Sequence, residues 1–150
     1  MGYPDLRGKA RATVRLHNKI MYKVCELVEL CRDCGVEWVI ENPASSRLWL
    51  TRPMRKVTCD ATLFSLDFCQ YGERWRKRTS FATSIASLSS LSALCGSSSA
   101  HPSCTRTGRR HIQLSGIDPR TKQFRTMLAC PYPKKLVVAL ADALRCYFAG

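Results

Sequence analysis

The chain has 150 residues, of which 45% are hydrophobic, and 24 Lys and Arg against 11 Asp and Glu leave a net charge of +13. One ordinary domain of this length can bury a real core, and the hydrophobic share excludes wholesale disorder. The basic excess speaks about partners more than fold: it favours nucleic acid or another polyanion, with a generally basic protein as the bland alternative.

Residues 1–9 read as an irregular lead-in containing Pro4, Gly8 and several charges. No apolar signal segment follows Met1, and Leu6 stands where a myristoylation signal would want Ser or Thr. No apolar run approaches the roughly 20 residues of a membrane span. An intracellular protein, nuclear or cytoplasmic and without membrane association, is the expectation. The nine cysteines are an odd count, which suits reduced thiols that pack as small hydrophobes.

From Ala10 to Cys34 the spacing predicts a helix. Val14, His17, Ile20, Met21, Val24, Leu27, Val28 and Cys31 recur on one side at helical period. Arg11, Arg15, Lys19 and Lys23 recur every fourth residue on the other. Like charges at that spacing repel, and they crowd the half of the helix where its dipole disfavours cations. A bound polyanion would relieve the repulsion; a solvated face would simply tolerate it. Gly35 suits the left-handed residue that ends a helix.

Val36, Trp38, Val39 and Ile40 then predict a buried strand, with Glu41 at its carboxyl end and Pro43 forbidding a regular ladder beyond. Ligands of open α/β sheets sit outside the carboxyl ends of strands, so Glu41 is a candidate for chemistry, with a solvated loop acid as the alternative. Helix, glycine turn and strand read as half of a parallel βαβ unit, and the chain as a single α/β domain.

Ser45 or Ser46 could cap a short helix carrying Leu48 and Trp49 and closed by Pro53. Val57–Cys59, Phe64–Tyr71 and Thr79–Ser84 are predicted short strands. A basic turn with an embedded indole, Arg74-Trp75-Arg76-Lys77-Arg78, lies before the last of these. Ile85, Leu88, Leu91 and Leu94 mark a short helix, and residues 95–108 a flexible serine-rich connection. His111–Leu114 reads as a brief strand, Asp118-Pro119-Arg120 as a turn, and Pro133 as the opening of a last helix with Leu136, Val137, Leu140, Ala143, Leu144 and Tyr147 on its apolar face.

Two cysteine sets have the residue types of metal ligands. Cys31-x-x-Cys34 has suitable spacing but no second close pair. Cys95, His101, Cys104 and His111 could supply ligands from the serine-rich connection, against core thiols and surface imidazoles as the plainer reading. For nucleic acid, Arg11, Arg15, Lys19, Lys23, then Arg74, Arg76 and Arg78 around Trp75, then Arg106, Arg109 and Arg110 form three basic clusters; cations interleaved with an aromatic residue can grip phosphate and stack a base.

The order of segments also carries a resemblance. Cys31-x-x-Cys34-Gly35 is followed by Trp38-Val39-Ile40-Glu41-Asn42-Pro43-Ala44-Ser45-Ser46-Arg47-Leu48-Trp49. Asp67-Phe68-Cys69-Gln70-Tyr71-Gly72 comes next with Trp75 to Thr79, then Cys104, His111 to Gly116 and Tyr132-Pro133. From about Leu6 to Leu144 the chain resembles the later half of DNA cytosine-5 methyltransferase-like, S-adenosylmethionine-dependent proteins of phages and mobile elements. The resemblance implies a partial Rossmann-like methyltransferase sheet flanked by helices and lacking its N-terminal cofactor-binding strands. It implies that Glu41 is the carboxyl group that holds the target cytosine ring, with Asn42 and Pro43 shaping the corner, and that Arg74, Arg76 and Arg78 seat phosphate and an extruded base.

The family's glycine-rich cofactor turn and its Pro-Cys nucleophile have no counterpart here; Cys130-Pro131 has the order reversed. S-adenosylmethionine is therefore expected only if an N-terminal half complements the chain. The alternative is a non-catalytic basic nucleic-acid-binding module of mobile-element origin.

Overall fold

The computed structural model describes residues 5–98 and 100–150; Met1 to Pro4 of the expected lead-in, and Ser99 of the serine-rich connection, lie outside them. The expected first helix forms as α1 (Gly8–Asp33), ended by Cys34 and by Gly35 at φ +64°. Gly35 is the left-handed stop that the sequence predicts. Three strands follow: β1 (Val39–Pro43), β2 (Thr62–Asp67) and β3 (Arg78–Thr83), in the order β1-β3-β2. A short helix α2 (Arg52–Val57) lies between β1 and β2, and α3 (Lys134–Ala149) closes the chain.

The domain is α/β, but β3 pairs antiparallel with both neighbours, where helix-then-strand order predicts a parallel pair. The connections explain this. Only residues 68–77 join β2 to β3, too few for a parallel crossover, so the chain turns back on itself. The longer stretch 44–61 carries α2 and returns β2 in the direction of β1, with β3 filling the place between them.

Each face of the sheet has its own core. On one side Met21, Cys25 and Val28 of α1 and Met54 and Val57 of α2 pack with Trp38 and Ala82. On the other, Leu136 of α3 meets Phe64, Leu66, Phe81, Ile85 and Leu88. Phe64 and Phe81, directly opposite each other across β2 and β3, stack with ring centroids 5.0 Å apart.

Several local expectations change. Pro43 lies inside β1, not beyond it. The Ala44 amide donates to Arg78 and the Ser84 amide to Trp38, so the even-numbered residues of β1 face β3 and the odd-numbered ones face outward. The N–H that Pro43 lacks is one the ladder never uses. Ser46 caps a 3-10 turn (Arg47–Leu50), and Pro53 sits in the first turn of α2 instead of closing that turn. Val57 ends α2 and Cys59 is exposed, so no strand forms at 57–59.

The predicted strand Phe64–Tyr71 breaks after Asp67 into a 3-10 turn (Phe68–Tyr71) that ends at Gly72 with φ +109°. Ile85 to Leu94 gives a 3-10 turn over Ala86–Leu91. His111–Leu114 forms no strand; the Ile112 amide donates to the Arg74 carbonyl instead. Asp118 makes the predicted turn, its carboxylate accepting from the amides of Arg120 and Thr121. Among the described residues no helix is long and apolar enough to cross a membrane.

Candidate functional site: a carboxylate corner and a thiol cluster

Glu41 stands on β1 opposite Phe81, on the α3 side of the sheet. The Tyr132 hydroxyl donates to its Oε2 at 2.6 Å, while its Oε1 is buried with no hydrogen-bond partner among the described residues. Tyr132 titrates at about 12, raised by burial and then by the carboxylate beside it. One oxygen is thus fixed and the other spare. The corner beyond is tightly set: the Pro43 carbonyl accepts from the Ser46 amide at 2.9 Å and from the Trp49 indole at 3.1 Å. Across the sheet from the Glu41 carboxylate, on the α1 face, Ile40 and Asn42 border a groove of about 1070 Å³ between α1, β1 and the Arg47–Leu50 turn. Val14, Ile20 and Leu48 give it apolar walls; His17, Arg47 and Arg52 add polar ones.

The basic clusters fare differently. Arg11, Arg15 and Lys19 are exposed along α1, whereas Lys23 is drawn to Glu26 at 2.5 Å. Arg78 grips Asp67 through two hydrogen bonds of 3.1 and 2.8 Å. Arg76 lies 3.3 Å from the same carboxylate and donates to the Ser97 carbonyl. These two cations serve the interior. Arg74 remains exposed, and Trp75 is half-buried with its Nε1 turned inward and unpartnered among the described residues. Arg74, Arg106, Arg109 and Arg110 border a second hollow of about 360 Å³.

Beneath that hollow lie Cys69, Cys95, Cys104 and His111, whose ligand atoms all fall within 4.8 Å of one another. Of the four candidates in the serine-rich connection, three meet here; His101 is exposed and outside the cluster, and Cys69 completes it. Cys69 escapes a reading by spacing because it is 26 positions upstream of Cys95, in the Phe68–Tyr71 turn. The break of the predicted strand after Asp67 is what brings it inward. Burial pushes the Cys69 thiol up to about 12, reinforced by hydrogen bonding with its neighbouring thiols. Burial opposes ionisation of Cys95 too, but hydrogen bonds from Ser97 and Thr105 prevail and hold it at about 5. Cys31 packs half-buried against the α1 core and Cys34 is exposed at the helix end.

No family model, curated protein or solved structure matches the chain. β1 leads into Ala44-Ser45-Ser46 and β2 into Phe68-Cys69-Gln70-Tyr71, so neither strand ends in a glycine-rich turn that would let backbone approach a cofactor. The methyl donor, S-adenosylmethionine, does not fit these residues.

Proposed function

We propose that the chain provides the target-base- and DNA-facing part of a cytosine-5 methyltransferase-like catalyst, with the cofactor turn and the cysteine nucleophile contributed by a further segment. The observation that carries this reading is Glu41. On the outer strand of the sheet its Oε2 is held by Tyr132, while its Oε1 is buried with no partner among the described residues. A carboxyl group so fixed can hydrogen-bond a cytosine ring nitrogen and deliver a proton as charge develops there, which makes the ring a better acceptor for a nucleophile. Asn42 and Pro43 set the corner, and exposed cations such as Arg74, Arg109 and Arg110 would meet phosphate.

The strand directions also support the reading. β1 and β2 run the same way with β3 reversed between them, as at the closing end of a mixed sheet. The outward-facing side of β1 would take the remaining, Rossmann-like strands.

The test is binding of the full chain to a duplex carrying one unpaired cytosine, compared with one carrying an unpaired thymine. Glu41→Gln and Glu41→Ala should each weaken cytosine binding by about tenfold or more, the worth of a hydrogen bond to a charged group. They should leave thymine binding unchanged. Equal affinity for both bases, unaltered by either substitution, would sink this reading. It would leave the second one, a basic module that grips nucleic acid without catalysis, which the exposed row Arg11, Arg15 and Lys19 favours.

A further inference from the structure

Among the described residues of 92–124 there is no helix and no strand, only isolated bridges. A connection that long, without secondary structure of its own, needs something besides a hydrophobic core to hold it in place. Among its described residues only Cys95 and Cys104 are buried, at 2% and 3% exposure. Both turn toward Cys69, which is fully buried at the end of β2, and the three thiols make a core cluster of their own with no aliphatic or aromatic member. Small hydrophobes filling space would be expected to merge with one of the two apolar cores. These do not.

We propose that Cys69, Cys95, Cys104 and His111 form a structural zinc site of the three-thiolate, one-imidazole kind. His111 Nε2 lies 3.7 Å from the Cys95 sulfur, against the roughly 3.5–3.8 Å between ligand atoms that tetrahedral bonds of about 2.3 Å to sulfur and 2.0 Å to nitrogen require. The donor set is complete at four, with no position left open for a substrate, which marks a structural and not a catalytic ion.

The surroundings are those of a ligand shell. The Thr105 hydroxyl and the Gln70 amide each point at a sulfur, Cys95 and Cys69 respectively, at 3.6 Å. The Cys104 carbonyl accepts from the amides of Thr107 and Gly108 in a tight turn, with Gly108 at φ +67°. His111 is held from the next residue, whose amide binds the Arg74 carbonyl at 2.8 Å. Bound as thiolates, the three cysteines and the ion together carry one net negative charge. Arg106 sits beside it, its Nε on the Cys69 carbonyl at 2.5 Å.

Zinc here would staple the long connection to the sheet and hold Arg106, Arg109 and Arg110 against Arg74. The test uses the full chain purified under reducing conditions with zinc sulfate present. Elemental analysis should find one zinc per chain, and X-ray absorption at the zinc edge a shell of three sulfurs and one nitrogen. Cobalt(II) put in its place should show tetrahedral ligand-field bands with thiolate charge transfer.

Cys69→Ser and Cys104→Ser should weaken zinc affinity by more than the roughly tenfold to hundredfold that loss of an outer hydrogen-bond partner costs. Cys34→Ser and Cys59→Ser, both at exposed thiols, should leave it unchanged. His111→Cys should keep the tetrahedral cobalt bands with a fourth sulfur. A chain that carries no stoichiometric zinc, or whose zinc shell in the unaltered protein lacks the three sulfurs, overturns the proposal whatever the variants do.

Discussion

Asp67 is wholly buried and yet stays charged. Burial alone would raise its carboxyl, but the Arg78 fork, the Cys95 amide at 2.7 Å and the nearby Arg76 outweigh it and hold the group below the usual carboxylate range. A carboxylate lowered in the folded state stabilises the protein above its unfolded value of about 3.9, and the contribution is lost as pH falls through the folded value. Asp67→Asn should therefore remove its own part of the acid-side slope of stability, alongside which the lowered Glu37 and Asp118 carboxyls contribute theirs. It should cost about 3 kcal/mol in urea denaturation, the lower end for a broken buried pair, because Arg76 and Arg78 keep partial access to water. Tyr132 runs the other way. Its pKa is raised to about 12, so its contribution is complete below the ordinary tyrosine value of about 10 and fades between there and 12. Tyr132→Phe should flatten the alkaline fall in stability, and an absorbance titration of tyrosinate should lose one late step. Of these residues the sequence made Glu41 and the arginines legible. It did not show that Asp67 would claim two of those arginines, because the pairing depends on β2 and β3 lying side by side.

At the scale of elements, alternation along β2 separates what holds the sheet from what covers it. Leu66 is fully buried in the α3-side core, while Leu63 on the opposite face is 62% exposed. Leu66→Ala should cost about 2–5 kcal/mol as a core cavity, whereas Leu63→Ala should stay within about 0.5 kcal/mol; thermal or urea unfolding of the pair measures both. Helix α1 shows the same split between pattern and burial. Met21 and Val28 of its predicted stripe are buried, together with Cys25 from outside the stripe, but His17, Ile20 and Leu27 of the stripe are exposed. Periodicity marks the apolar side of a helix; how wide a strip gets covered depends on the neighbours, and here α1 meets mainly the short α2. The end of β2 at Asp67, short of the Tyr71 that the sequence predicts, has a related reason. Phe64, Leu66 and Phe68 carry a strand-like alternation past Asp67, and only the turn at Gly72 and the burial of Cys69 divide strand from 3-10 turn.

For the whole molecule, the two edges of the sheet are finished differently. The outer edge of β2 is covered: the Asp67 amide donates to Ala93 at 2.9 Å and the Ser92 hydroxyl to Ser65. That cover is the first part of the connection which the thiol cluster anchors. Among the described residues, the outer edge of β1 has no such cover. Ile40 and Asn42 spend their backbone groups on β3, and Val39 and Glu41 turn theirs outward with no partner among the described residues. An open edge of this kind is a template for another strand, and helix-then-strand order had pointed to a continuing sheet without revealing which edge would be open. Backbone hydrogen exchange reads the difference residue by residue. In the chain alone, the Ile40 and Asn42 amides should exchange slowly and those of Val39 and Glu41 fast. If a further segment completes the sheet as the methyltransferase-like reading requires, its addition should slow Val39 and Glu41 and leave Ile40 and Asn42 as they were. Nucleic acid alone should not change this alternation, because phosphate contacts add no strand. Protection of Val39 and Glu41 in the dilute, isolated chain would mean that the edge is already closed, and the place assigned to the complementing segment would be lost.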